Sequence, residues 1–345
     1  CLAIALSVGL IETLGRGARH KAPIHLLAYA NTLARIDPAT NKVSAVIPVG
    51  TDPVATAEGG DTVWVYSRGT ARIAEVDART DRVLRMTAVS PPAECCGLFT
   101  GPVLAADRSG AWFVAGGVAG RALLVHVPVG LGAKREYPLR VIPSGVAAGG
   151  GYVWVVGEDS RGDEVLRVDR ASGRATVTAH LPASARIDSI AFGYGAVWVV
   201  SSSRAMLYKI DPRSAQVTGK FQVGHSRATR PEIMPDIREI YVRVTGGGGT
   251  VYVFDPSPLA LNHAEAGDGP PGNFENDGQL GSQWWYDSEA GDVERQYAPY
   301  GPVSTIRVTG SPLLGGGPCL TSITAGAGSL WVTAAPSSSA GVCTR

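Results

Sequence analysis

Hydrophobic residues in this chain come in short bursts separated by Gly-rich and Asp-rich turns, and two columns recur. In the first, an aromatic is flanked by β-branched or other apolar residues: Val63-Trp64-Val65, Ala111-Trp112-Phe113, Val153-Trp154-Val155, Val197-Trp198-Val199 and Leu330-Trp331-Val332. Ile240-Tyr241-Val242 fits the column with Tyr, and Phe274 fits it more loosely. Successive spacings are 48, 42, 44, 43, 33 and 57 residues. In the second column an Asp opens a polar turn, at Asp37, Asp77, Asp169, Asp211, Asp255 and Asp287. His126 takes that place in the repeat of Trp112. From Asp77 onward each Asp or His follows its aromatic by 13 to 15 residues.

Each burst predicts a short strand, because the runs are too brief for helices and are rich in Val and Trp. Gly-rich segments such as 58–61 and 149–151 supply the positive φ of a tight hairpin before the aromatic strand. The Asp caps a second turn by accepting backbone N–H groups two or three residues on. Four strands in about 42 residues make one blade of a propeller. The expected fold is therefore all-β, a seven-bladed β-propeller, with eight blades if Ile24–Tyr29 adds a strand of its own. Outer strands from 26–49 and inner strands ending at 331–345 are expected to share one blade, which closes the ring and removes its open edges. The column aromatics read as packing between blades.

Composition changes this picture little. The 345 residues suffice for one large closed β domain, and Gly is abundant at 44. Charge is balanced, 31 Lys plus Arg against 30 Asp plus Glu, so net charge makes no electrostatic case for nucleic acid or for an anionic membrane surface. Residues 1–23 read as the remnant of a signal peptide or membrane anchor plus a linker, with the propeller over 24–345. Cys1 is also a candidate lipidated residue. Either tether places the propeller outside the cytoplasm, secreted or held at the cell surface. Cys95, Cys96, Cys319 and Cys343 allow three pairings in an oxidising compartment. Cys319 precedes the last inner strand and Cys343 follows the Trp331 strand, which favours their pairing. Cys95-Cys96 reads either as a vicinal disulfide at a ligand lip or as two separate structural cysteines.

The run I-D-P-A-T-N-K-V-x-x-x-I-P-V-G-T-D-P-V-A at Ile36–Ala55, followed by Val63-Trp64-Val65, resembles the YVTN-type propeller repeat of bacterial extracytoplasmic proteins. It is similar also to the wider superfamily of streptogramin lyases and propeller lactonases. The likeness runs over 33–332, strongest over 33–217 and weakest over 225–312. It implies the fold and leaves the activity open.

In such a ring the Asp turns and Gly-rich turns share one face. The inter-blade connections and the loops after each aromatic strand share the other. The second face varies most, so binding is expected there. Its loops are 66–70, 157–164, 201–204 and 246–249, and its connections are 91–101, 186–188, 225–236 and 262–281. The connection with His225, Arg227, Arg230 and Glu232 is the most chemically loaded, a candidate for an anionic ligand or acid–base chemistry, with a solvated loop as the simpler reading. Asp52, Ser144, Asp188 and Arg230 stand near inner-strand starts, where they would line the mouth of the channel. The acidic 157–164 loop lacks calcium-loop spacing and reads as a hairpin tip. The 262–281 stretch, with Asp268, Glu275 and Asp277, reads as an irregular connection that could serve as a lid or partner insert.

These readings favour a non-catalytic binding or sensor module for a small molecule, a protein or a cell-wall partner. It is expected to be monomeric and to need no cofactor or metal. The alternative is a lyase- or lactonase-type enzyme at the channel mouth. The resemblance implies His, Glu or Asp around the channel for that chemistry, often with a divalent metal. Of six His only His225 and His263 are placed for it, without partners at a recognisable spacing.

Overall fold

The computed structural model describes residues 26–92, 102–116, 121–160, 162–181, 187–201, 203–223, 229–235, 239–245, 250–266, 274–277, 282–288, 290–297, 302–310 and 317–337. Among them are seven antiparallel four-stranded sheets and no helix. Six blades are consecutive in sequence: 53–88, 104–139, 142–180, 187–222, 229–266 and 274–307, numbered 1 to 6 here. Blade 7 joins the chain ends. Its inner pair, Cys319–Gly326 and Ser329–Ala335, continues into Thr32–Asp37 and Lys42–Pro48. The seam is an ordinary antiparallel ladder, Thr32 opposite Ala334 through Ile36 opposite Leu330. Within the 24–29 segment the described residues make one bridge, Ala28 to Thr309, rather than an eighth blade.

In every blade the first strand faces the channel. The second strand carries the aromatic and is buried on both sides, as at Thr62–Ser67 and Ser329–Ala335. Trp64, Trp112, Trp154, Trp198, Trp284 and Trp331 are fully buried between sheets. Three of the indoles donate to the carbonyl five residues back, Trp154 to Gly149, Trp198 to Gly193 and Trp331 to Gly326, at 3.1, 2.9 and 3.1 Å. The hairpin that leads into the strand thereby satisfies the polar edge of its own aromatic.

The polar turns follow a shared local chemistry. Asp37, Asp77, Asp169 and Asp211 each accept a backbone N–H two or three residues on. Their carbonyls accept from the fourth residue on, Asn41, Asp81, Gly173 and Ala215, each in the left-handed region.

Three positions of the expected pattern are corrected. Blade 6 carries Trp284, not Phe274, in the buried aromatic column. Phe274 lies on its inner strand, opposite Trp285. Asp287 joins the second strand of blade 6 to the third rather than the third to the fourth, so its turn lies on the opposite face from Asp77. In blade 2 the place of Asp77 is taken by Pro128, opposite Gly110, as Asp77 is opposite Thr62. His126 instead stands opposite Trp112, where Glu75 stands opposite Trp64.

That last position defines a third column. Opposite the blade tryptophans stand Arg35, Glu75, His126, Arg167, Lys209 and Arg295. Most of these side chains cover an aromatic and cross to the next blade. Arg295 lies over Trp284 and donates to the Pro38 carbonyl and Asn41 Oδ1. Lys209 lies over Trp198 and donates to the Pro256 carbonyl at 2.6 Å. Arg167 donates to the Arg213 carbonyl at 2.9 Å, and Arg35 pairs with Asp81 at 3.2 Å. Glu75 accepts from the Gly130 N–H at 2.8 Å. These five polar heads, all but His126, end on the turn between the third and outer strands of the neighbouring blade, which clamps the ring on that face.

Candidate functional site

The opposite face holds the connections between blades, and its chemistry varies from blade to blade. Asp52, at the start of the blade 1 inner strand, is held with φ 57°. Its N–H donates to Asn31 Oδ1 of blade 7 at 2.8 Å, and its Oδ2 accepts from Arg68 Nε at 2.7 Å. In blade 3, Arg140 donates to the buried Glu164 at 2.9 Å. Arg140, Ile142, Glu158, Asp159 and Ser160 line a cleft of about 510 Å³ there. In blade 6, Arg307 pairs with Asp292 at 2.6 Å. Burial raises the Asp292 carboxyl above the usual range, Arg307 opposes that, and Asp287 and Glu294 add to it.

At this end the inner strands carry a repeated β-bulge. The register shifts around Val54, Ser144, Asp188 and Thr321, and between Thr229 and Glu232. A bulge turns its extra residue out of the ladder and is a common device at rims. Ser144 and Asp188 thus occupy equivalent places around the mouth of the channel, a place that Pro231 takes in blade 5, with Arg230 one residue before it. Ser144 donates to the Val156 carbonyl at 3.4 Å, and Asp188 is only 3% exposed. Thr321 donates to the Pro53 carbonyl of blade 1 at 2.6 Å. Below the rim the inner strands carry small residues such as Ala55, Ala105, Ala147 and Ala191, with hydroxyls at Thr56 and Ser322, 2.9 Å apart across blades 1 and 7.

Several expected positions shift. Arg230 and Glu232 belong to the inner strand Thr229–Pro235, not to a loop. Asp188 likewise lies within Ile187–Gly193. His263 stands on the outer strand of blade 5 opposite Val253, at the rim of the molecule away from the channel. The 262–281 stretch contains the end of that outer strand and the inner strand Phe274–Asp277, which holds Glu275 and Asp277. The acidic 157–164 segment is a hairpin, with Asp159 opposite Gly162. His225, Arg227, Asp268, Cys95, Cys96 and Cys343 lie outside the described residues. Cys319 is disulfide-bonded to a partner that also lies outside them. Among the described residues no group of His, Cys, Asp and Glu is arranged to hold a metal.

Arg68, Arg140, Asp292 and Arg307 are the residues of this face that sequence reasoning missed. Arg68 and Arg140 meet carboxylates 16 and 24 positions away, across loops whose lengths follow no motif. The only available signal was their place just outside predicted strands.

No family model and no curated protein matches this sequence. Solved structures match the fold. The WD40 domain of Neurospora crassa Pan2 aligns with a TM-score of 0.55 at 10% identity, covering 84% of this chain and 90% of that one. Kuenenia stuttgartiensis hydrazine synthase aligns at 0.55 and 14% identity, over 85% of this chain and 98% of that chain. The β-propeller domain of Myceliophteria thermophila Cps50 (Swd1) aligns at 0.56 and 11% identity, over 79% and 98%. The chain is a seven-bladed β-propeller, a class that serves binding and scaffolding as well as catalysis, and the site must be argued from its own residues.

Proposed function

We propose that this propeller is a ligand- or protein-binding module that works outside the cytoplasm, as a monomer tethered or secreted through its N-terminal segment, and that it binds through the connection face. The observation that carries the reading is the contrast between the two faces. The turn face repeats one solution, with Asp caps and cross-blade clamps using up its polar groups. The connection face differs in every blade and presents Asp52–Arg68, Arg140–Glu164 and the Arg140 cleft. Loops that depart from a repeat on a rigid frame are where recognition concentrates. The disulfide at Cys319 supports an oxidising compartment, as does the likeness to YVTN-type repeats.

The test is a binding screen of the purified chain against a glycan array and isolated cell-wall polymer. It is repeated with Arg68→Ala plus Arg140→Ala, and with Arg79→Ala plus Arg213→Ala on the turn face. The expected result is a ligand whose affinity falls about tenfold in the first pair and holds in the second. Equal loss in both pairs, or turnover of a lactone or lyase substrate by the wild type, overturns the reading.

A further inference from the structure

Among the described residues, the turn face departs from its repeat most in blade 2. Blades 1, 3, 4 and 7 close their third and outer strands with an Asp-capped polar turn. Blade 2 closes them with Pro128-Val129-Gly130-Leu131-Gly132-Ala133-Lys134-Arg135, a longer loop with an apolar apex. Leu131 is 100% exposed and Val129 44%. Scattered exposed apolar side chains need no explanation, but this one is held out by construction. The buried Glu75 carboxylate of blade 1 accepts from the Gly130 N–H at 2.8 Å. Arg85, paired with Glu75 at 3.2 Å, donates to the Gly132 carbonyl at 2.8 Å and to the Pro128 carbonyl. The Val129 N–H donates to the Ser109 carbonyl at 3.1 Å. Both flanks of the apex are thus pinned from beneath, and the leucine between two glycines projects into solvent.

Exposed cations flank the loop: Arg108 in the adjoining hairpin, Lys134 in the loop and Arg135 at the first position of the outer strand. The acids beside them are Glu136, which pairs with Lys134 at 2.7 Å, and Asp107, which is tied to Arg170 at 3.1 Å. A projecting apolar tip with flanking cations has the chemistry of a lipid-surface contact. We propose that the 128–135 loop is a lipid-docking finger. It seats Leu131 and Val129 at the acyl boundary of a bilayer and sets Arg108, Lys134 and Arg135 against anionic headgroups. Docking there leaves the connection face turned away from the bilayer.

The test is amide hydrogen exchange of the full chain with and without vesicles of phosphatidylethanolamine and phosphatidylglycerol. Slower exchange across 129–134 with vesicles is expected, lost in Leu131→Asp and weakened about tenfold with phosphatidylcholine vesicles alone. Reading the loop itself keeps the result independent of any tether in residues 1–25, which could hold the chain on vesicles by itself. Because Leu131 is solvent-exposed, Leu131→Asp leaves the fold intact, checked by an unchanged melting temperature. Unchanged exchange in the loop overturns the proposal. So does protection that grows with protein concentration in the absence of lipid, which would assign the finger to a second copy of the chain. Ligand binding at the connection face is read separately by the array, so the two proposals fail independently.

Discussion

His126 is the one member of the clamp column that changes charge near neutral pH. It is 8% exposed and stacks on Trp112, with ring centroids 4.0 Å apart and planes inclined by 15°. Its Nδ1 is buried without a hydrogen-bond partner, and its Nε2 stands 3.5 Å from Ser109 Oγ. Desolvation pushes its pKa below the usual 6.5. Asp107 and the Ser109 backbone oppose that shift, while Arg135 and Arg170 reinforce it. The folded chain therefore holds the ring neutral where the unfolded chain has begun to protonate it. By linkage, this stability is whole above about pH 6.5 and falls as pH drops through the lower folded value. The turn aspartates Asp77, Asp169 and Asp211 have lowered pKa values, so their contribution is lost only further down, as pH falls from the unfolded value of 3.8 through the folded ones. Melting curves between pH 7 and 5 should thus show the wild type losing a few degrees more than His126→Gln, roughly 3 °C. Parallel curves would remove His126 from the account.

At the level of the blade, the Arg295 and Lys209 clamps should carry more stability than surface ion pairs, because they are at least partly buried and end on backbone carbonyls. Arg295→Met keeps the stem over Trp284 but removes the bonds to the Pro38 carbonyl, Asn41 and Ser282. It should cost about 2–3 kcal/mol in urea unfolding, whereas Lys209→Met, with one bond to Pro256, should cost about 1 kcal/mol. Values within about 0.5 kcal/mol of zero for both would make the column ornamental. This column also marks the limit of what the sequence discloses. Trp64 or Trp198 announces itself because six of the seven blades solve the same packing problem with tryptophan, and blade 5 with Tyr241. The residue opposite it is Arg, Glu, His or Lys by turns, and its role depends on the neighbouring blade's turn, so no shared letter marks it. The misplacement of Asp287 has a related cause. An Asx cap followed by a left-handed residue, here Gly291, is a local structure that forms in any hairpin, and its letters do not say which hairpin it closes. The offset to Asp287 put Phe274 in the aromatic column against the repeat spacing, whereas strand pairing gives that place to Trp284. Ser144, Asp188 and Arg230 were legible as polar residues near inner-strand starts, whereas the bulges there carry no letters of their own.

For the whole molecule, the decisive problem is closure, since a ring of blades is only as stable as its last seam. Blade 7 is assembled from strands at opposite ends of the chain. Arg35 fastens them, donating to Ser329 Oγ at 2.8 Å, lying over Trp331 and reaching Asp81 of blade 1. Asn31 adds its bond to Asp52. The expected composite blade was legible because outer strands at one end and inner strands at the other leave no second arrangement without open edges. The sequence favours Cys343 as the partner of Cys319. Cys319 is 1% exposed, opens the inner strand of blade 7 opposite Ala335, and is disulfide-bonded. The chain leaving Ala335 starts beside it, which makes Cys343 the nearest partner along the sequence. A loop of that size contributes about 3 kcal/mol by restricting the unfolded chain. Cys319→Ser and Cys343→Ser should therefore lower the denaturation midpoint equally, and the double variant no further, while Cys95→Ser and Cys96→Ser leave it unchanged. If Cys95→Ser or Cys96→Ser instead matched Cys319→Ser, the bridge would run from the closure blade to the connection between blades 1 and 2. The disulfide would then staple three neighbouring blades at the connection face rather than the seam itself.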